Sequence, residues 1–190
     1  SVEESAWQCG DPLEYQGYDY ETVQIGEQCW FAENVRYLPG VSPPSIGSEQ
    51  DGLPHAYVYG WYSEDGDIDA AMSTPNYNIF GALYNFQAVT DWDLCPSGWH
   101  VPSAAEFRTL DVALGLPDEE LNNIGWTGGS AEIGTALKVE SGWCCGGGGT
   151  NTSGFSAKGA GGRWGDGPAP FADIGLASRW WTSPGRGGNA

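Results

Sequence analysis

Positive charge is scarce. Seven Lys and Arg stand against 25 Asp and Glu in 190 residues, a formal net charge of -18. Arg36 is the only basic residue before Arg108, so the first half offers no patch that could neutralise phosphates or anionic lipid head groups. Nucleic acid is therefore not an expected partner. Apolar runs are also short, and none reaches the roughly 18 residues that cross a bilayer, which argues against membrane insertion. Histidine is limited to His55 and His100, and no C-x-x-C occurs, so the paired-ligand spacing of a zinc site is missing. No G-x-S-x-G marks a nucleophile elbow. The run "CCGGGGTN" lacks the lysine and hydroxyl that end a phosphate-binding loop. These absences predict a protein that is not an enzyme.

What the chain has in quantity is punctuation and aromatic mass: 30 Gly and 12 Pro, with ten Trp, nine Tyr and six Phe. The first pair breaks the backbone into short pieces; the second supplies a core. At this length a single domain over residues 1–190 buries about 70% of its unfolded surface. The composition predicts a loop-rich, β-leaning domain. Acidity of this degree points to solubility, a salty habitat or divalent-cation binding. The start, "SVEESAWQCG", has no initiator Met and suits a processed product. Together with the cysteine and loop content, it predicts a secreted, extracellular or cell-surface location.

Five cysteines need individual accounting. Cys9 and Cys29 bracket "YQGYDY" and "ETVQIG", which read as a turn and an alternating strand, so a disulfide closing a hairpin is expected between them. Such a loop contributes on the order of 3 kcal/mol by restricting the unfolded chain. Cys144 and Cys145 are adjacent and ill placed to bridge each other. Either one of them reaches Cys95 and the other stays free, or a partner lies outside the chain.

Further along, Trp30, Phe31 and Val35 are expected inside. "HAYVYGWY" reads as a strand, residues 63–79 as a polar loop, and Leu83, Phe86 and Val89 fall at helical spacing. "CPSGWHVPSAAEFRTL" invites a triad of Cys95, His100 and Glu106, but Ser103 followed by Glu106 is a capping box. A helix follows with a stripe of Phe107, Leu110, Val112 and Leu114, stopped by Gly115 and Pro117. Glu106 thus has a structural task, and His100 is read as a hydrogen-bonded corner.

The motifs "YDYETVQIGEQCWFAENVRYL", "FGALYNFQAV", "LCPSGWHVPSAAEFRTL", "GTALKVESGW", "GTNTSGFSAKGAGGRW" and "SRWWTSP" occur in that order. Together they resemble the Fibrobacter succinogenes major paralogous domain family over roughly residues 9–189. That resemblance implies an α+β, C-type-lectin-like fold with short antiparallel strands and about two helices, related to the formylglycine-generating enzyme group. "GWHVPSAAEF" looks like that group's "GWRLPTEAEW", and "FSAKGAGGRW" like "FSALPGGYR", with Lys158 where an apolar residue is usual. Family members continue past the "WWTSS"-like motif, so the resemblance also implies one of two things: the closing C-terminal segment, and with it a partner for Cys95, is missing, or the sequence is a fragment. No catalytic role comes with the family.

Three sets of residues are candidate sites. Glu64, Asp65, Asp67 and Asp69 in "SEDGDIDAAM" place oxygen ligands at near-alternate positions, as at the start of a calcium loop, and make calcium the candidate cofactor. Ala70 and Asn76 depart from that pattern at its glycine and its bidentate glutamate. Trp180 and Trp181, with Arg179, are candidates for ligand stacking, one indole facing inward and one outward. Asn151 in "NTS" is a formal glycosylation acceptor. The expected function is a noncatalytic, surface-displayed adhesion module for glycan or protein. The alternative is a structural subunit that assembles with copies of itself into an extracellular fibre or sheath.

Overall fold

Tight turns and side-chain caps dictate most of the architecture. The computed structural model describes residues 7–47, 51–120, 132–164 and 170–183. Strands β1 (Leu13–Tyr15) and β2 (Tyr18–Tyr20) are joined through Gln16 and Gly17, both at positive φ (54° and 76°). That is the two-residue turn whose twist suits a hairpin. Strands β3 (Thr22–Ile25) and β4 (Gln28–Phe31) follow at once, turning at Gly26 with φ 60°. Two successive hairpins therefore occupy the segment between Cys9 and Cys29. The two cysteines are disulfide-bonded, with Cα atoms 5.8 Å apart.

Strand β5 (Ala56–Tyr57) pairs antiparallel with β6 (Leu83–Tyr84), and β7 (Ala160–Arg163) with β8 (Phe171–Ile174). Among the described residues the strands form four separate two-stranded ladders. Gly161 is obligatory in the last of these: at φ 67°, a Cβ there would sit 2.5 Å from the Ala172 carbonyl and 2.8 Å from the Ile174 nitrogen.

Among the described residues, five small helices with the strand pairs make an α+β fold, where about two helices were expected. Each of the first four begins at a polar cap. Asp67 accepts from Ala70 N–H to start α1 (Ile68–Met72), and Thr74 accepts from Tyr77 N–H to start α2 (Pro75–Phe80), with Pro75 in the first turn. The expected polar loop over 63–79 thus holds two helices, because its hydroxyl, carboxylate and proline fall at helix-starting positions. Asn85 caps α3 (Phe86–Asp91) and splits the expected Leu83–Val89 helix, leaving Leu83 in β6. Ser103 and Glu106 form the full capping box of α4 (Ala104–Ala113). Leu110 is buried, but Val112 is exposed and does not belong to the apolar stripe. The last, α5 (Ile133–Leu137), has no side-chain cap.

Two apolar clusters result. One gathers Leu38, Val41, Ala56, Val58, Ala71 and Tyr77 around β5 and the first two helices. The other gathers Ile25, Trp30, Leu110, Phe155 and Ala157 beneath α4. Trp30 is buried as expected, whereas Phe31 and Val35 are only half-buried. Among the described residues, no helix is long and apolar enough to cross a membrane.

Candidate functional site

A cleft of about 400 Å3 lies between three segments remote in sequence. Tyr15 and Gln16 come from the tip of the first hairpin, Tyr37 and Pro39 from the loop after β4, and Asp91, Trp92, Asp93, Cys95, Pro96 and Ser97 from the end of α3 onward. Each segment is held by identifiable contacts. The Tyr15 hydroxyl donates to the Asp93 carbonyl at 2.7 Å, pinning the hairpin tip to the 91–97 loop. The Tyr15 and Tyr37 rings meet edge to face at 5.9 Å. Tyr84 donates from its buried hydroxyl to the Tyr37 carbonyl, which fixes the second wall. Gln16 occupies the left-handed region at φ 54°, a conformation that non-glycine residues hold only where the surroundings enforce it.

The lining combines flat aromatic faces with carboxylate and amide groups. Trp92 is half-buried, while Asp91, Asp93 and Gln16 are exposed at the rim. Asp91 accepts from the Thr90 hydroxyl at 2.8 Å. Burial pushes the Tyr15 hydroxyl above the ordinary tyrosine range, so the ring stays neutral and donating. Burial, with Asp93 nearby, also pushes the Cys95 thiol up to about 11. Such a thiol carries almost no thiolate at neutral pH and is a poor nucleophile. Cys95 is unbonded, so the cleft contains a thiol rather than a staple.

The capping box expected in place of a Cys95, His100 and Glu106 triad is present. Glu106 accepts from the Ser103 N–H at 2.7 Å and from its hydroxyl at 2.8 Å, while its other oxygen meets His100 Nε2 at 2.7 Å. The amide bond from Ser103, followed by those from His100 and the Ser103 hydroxyl, holds the Glu106 carboxyl below its ordinary range.

A Ser-His-Asp string occurs elsewhere and carries no sequence motif: Ser42 Oγ lies 2.8 Å from His55 Nδ1, and Asp51 Oδ1 lies 2.9 Å from His55 Nε2. The Asp51 carboxyl is lowered first by the Leu53 N–H and then by His55. The Ser42 N–H donates to the Ala56 carbonyl at 2.8 Å and so is not available to stabilise an oxyanion. The string ties the 51–55 segment to Ser42 in the loop after β4.

The sequence-selected candidates are placed apart. Arg179 pairs with Asp173 at 3.0 Å and lies 4.4 Å over the Trp164 ring. Trp180 packs edge-on against Phe155 and lines a shallow depression with Phe107, Arg108 and Asp111, whose carboxyl is raised by burial. Trp181 leans the other way, donating from Nε1 to the Tyr84 carbonyl at 2.7 Å and packing on Phe86. The two indoles do diverge, but neither enters the core: they are 41% and 46% exposed.

In the acidic loop, each of three carboxylates has a local partner: Glu64 accepts from Ser45, Asp65 from the Asp67 N–H and Asp67 from the Ala70 N–H. Among the described residues, no group of three or more His, Cys, Asp or Glu side chains is arranged to hold a metal ion. Asn151 donates from Nδ2, the atom a glycan would occupy, to Ser156 Oγ at 3.0 Å, and accepts from the Ser156 N–H at 2.9 Å.

Cys144 and Cys145 are disulfide-bonded to each other, which corrects the expected pairing. Cys145 adopts φ 59° and ψ 29°, and this left-handed conformation turns the two Cβ atoms to the same side of their shared peptide.

Comparison with curated proteins and with solved structures returns no match. The model of the Fibrobacter succinogenes major domain matches residues 23–189, a span that includes the cleft's second and third walls, the α4 capping box and the β7–β8 pair. The chain belongs to the Fibrobacter succinogenes major domain family.

Proposed function

We propose that this domain is a noncatalytic, secreted or cell-surface binding module on a C-type-lectin-like scaffold, and that the Tyr15, Tyr37 and Trp92 cleft takes a small glycan. One observation carries the reading: three aromatic side chains share a concave site with two carboxylates and an amide. Aromatic faces stack on the C–H side of a sugar ring, while carboxylate and amide oxygens accept from its hydroxyls. The cleft's volume falls within the roughly 300–1,000 Å3 of small-ligand sites. A net charge of -18 favours neutral over acidic saccharides.

The test is a saccharide panel titrated onto the intact chain by calorimetry, repeated with Tyr37→Ala and Asp91→Asn. Tyr37→Ala keeps the backbone carbonyl that Tyr84 needs, and Asp91→Asn keeps an acceptor for Thr90. Saturable binding that weakens at least tenfold in both variants supports the reading. If no saccharide binds, or neither variant changes affinity, the reading fails. Running the panel with and without calcium tests whether the cation assists, which would require Glu64, Asp65 and Asp67 to exchange their present partners for the ion.

One feature favours a second reading, a subunit of an extracellular fibre or sheath. Among the described residues every strand ladders with a single neighbour, and an outer edge that the rest of the fold leaves uncovered could pair with another chain. Ordered filaments in ligand-free protein would favour that reading, and a 20.2 kDa particle the first.

A further inference from the structure

The bond between Cys144 and Cys145 differs from Cys9–Cys29 in three respects that bear on its chemistry. It lies in a single turn, Cys144–Gly146, whose Cys145 and Gly146 are exposed, whereas Cys9 and Cys29 are both partly buried. It closes no chain loop, so the fold does little to hold it shut. Cys29 is instead held in register opposite Gln24 by the β3–β4 ladder, and the segment after Cys9 is anchored by the Gly10 N–H to Thr22 Oγ1 at 2.9 Å. Those contacts keep the Cys9 and Cys29 sulfurs together even after reduction, which favours their re-oxidation. The third difference is the backbone: Cys145 sits at φ 59°, a conformation that disfavours a side chain and that a reduced pair need not keep.

The surroundings confine any opening to the turn itself. On one side Trp143 is fixed, donating from Nε1 to the Ala157 carbonyl at 3.1 Å, and the Cys144 N–H donates to the Gly175 carbonyl at 2.7 Å. On the other side the Gly147 N–H donates to the Cys144 carbonyl at 2.9 Å and the Gly149 N–H to the Val139 carbonyl at 3.0 Å. The turn is anchored at both ends, and Cys145 and Gly146, exposed and both at positive φ, are the part between that can change path.

We propose that Cys144–Cys145 is a thiol-exchange site, a modification site whose substrates are dithiol reductants, small or protein-borne. A thiolate of the reductant attacks the exposed Cys145 sulfur, and the Cys144 sulfur leaves as a thiolate and takes up a proton. The reductant's second thiol then attacks the mixed disulfide and leaves as part of its own new disulfide. Cys145 departs as a thiolate and is protonated. The balance is two electrons and two protons transferred to the pair and one disulfide gained by the reductant. A disulfide oxidant reverses the sequence.

The test is a graded dithiothreitol titration of the intact native chain, trapped with iodoacetamide and read by peptide mass spectrometry. We expect Cys144 and Cys145 to become doubly alkylated at a dithiothreitol concentration at least tenfold below that which opens Cys9–Cys29, and diamide to restore the bond. Three results would overturn the proposal: both disulfides opening together, Cys9–Cys29 opening first, or Cys144 and Cys145 already alkylated before any reductant is added.

Discussion

The Asn85 side-chain oxygen accepts the backbone N–H of His55 at 2.8 Å, across 30 residues of chain, and at the same time the N–H of Ala88 at 2.9 Å. One buried amide therefore caps α3 and fastens it to β5. Its nitrogen completes the connection by donating to the Leu53 carbonyl at 2.8 Å.

Replacing that amide should be costly. Asn85→Ala leaves two buried N–H groups and a carbonyl without partners, and a loss of about 2–4 kcal/mol is expected from the cap and desolvation terms together. Urea denaturation checks this. A loss below about 1 kcal/mol would mean that water replaces the amide.

Ser103 and Glu106 predict an acid-side effect. Because the Glu106 carboxyl is held below its ordinary value by the Ser103 amide, its contribution is complete above the unfolded carboxyl range and is lost as pH falls through the folded value. Ser103→Ala should cost about 0.5–2 kcal/mol at neutral pH. In Glu106→Gln the thermal midpoint should fall less steeply than in the parent chain as pH drops from 6 to about 3. Parallel midpoint curves would contradict the cap assignment.

Tyr20 predicts the opposite limb. It is 1% exposed, and burial pushes its hydroxyl up to about 12. A raised pKa means stability that is whole below the ordinary tyrosine value near 10 and is lost as pH rises through the folded value. Tyr84 is raised in the same direction, also by burial. An alkaline decline on the order of 2 kcal/mol from Tyr20 is expected between about pH 10 and 12. Tyr20→Phe should flatten that decline, as measured by denaturation at stepped pH. An unchanged slope would assign the loss elsewhere.

Gly161→Ala should disrupt the β7–β8 ladder. The added methyl meets the Ala172 carbonyl and the Ile174 nitrogen, and the backbone must hold φ 67°. The steric and conformational terms together suggest a loss of about 2–4 kcal/mol. Gly17→Ala is the informative control, since it also has positive φ but nothing within 4 Å of the added carbon. It should lose only the conformational part, and equal losses would show that crowding is unimportant.

Local chemistry was the readable part of this chain. The Ser103 and Glu106 box, the α4 stop at Gly115 and the hairpin turns depend on residues within a few positions of one another. So did the motif order that carried the family. Features that depend on left-handed backbone or on distant loops were not readable. Nothing in "WCCGG" announces that Cys145 adopts positive φ, so the pair looked unable to bond. The acidic stretch at 64–69 read as an ion loop because Asp67 and Asp69 supply the same carboxylates that begin a helix. The cleft was missed because its walls come from residues 15–16, 37–39 and 91–97, and neither Tyr37 nor Trp92 belongs to a motif of its own. Trp180 and Trp181 drew attention by adjacency, although the chain sends them to different neighbours.

The four separate ladders have a consequence for how the chain diversifies. In a continuous sheet, a residue inserted into one strand shifts the pairing of every strand beyond it. Here the ladders are separate, so an insertion between them changes a loop and leaves the other registers untouched. Copies of such a domain within one genome can thus drift in loop length and surface while keeping the same capped helices and glycine turns. That makes it a framework suited to a large repertoire of related surfaces.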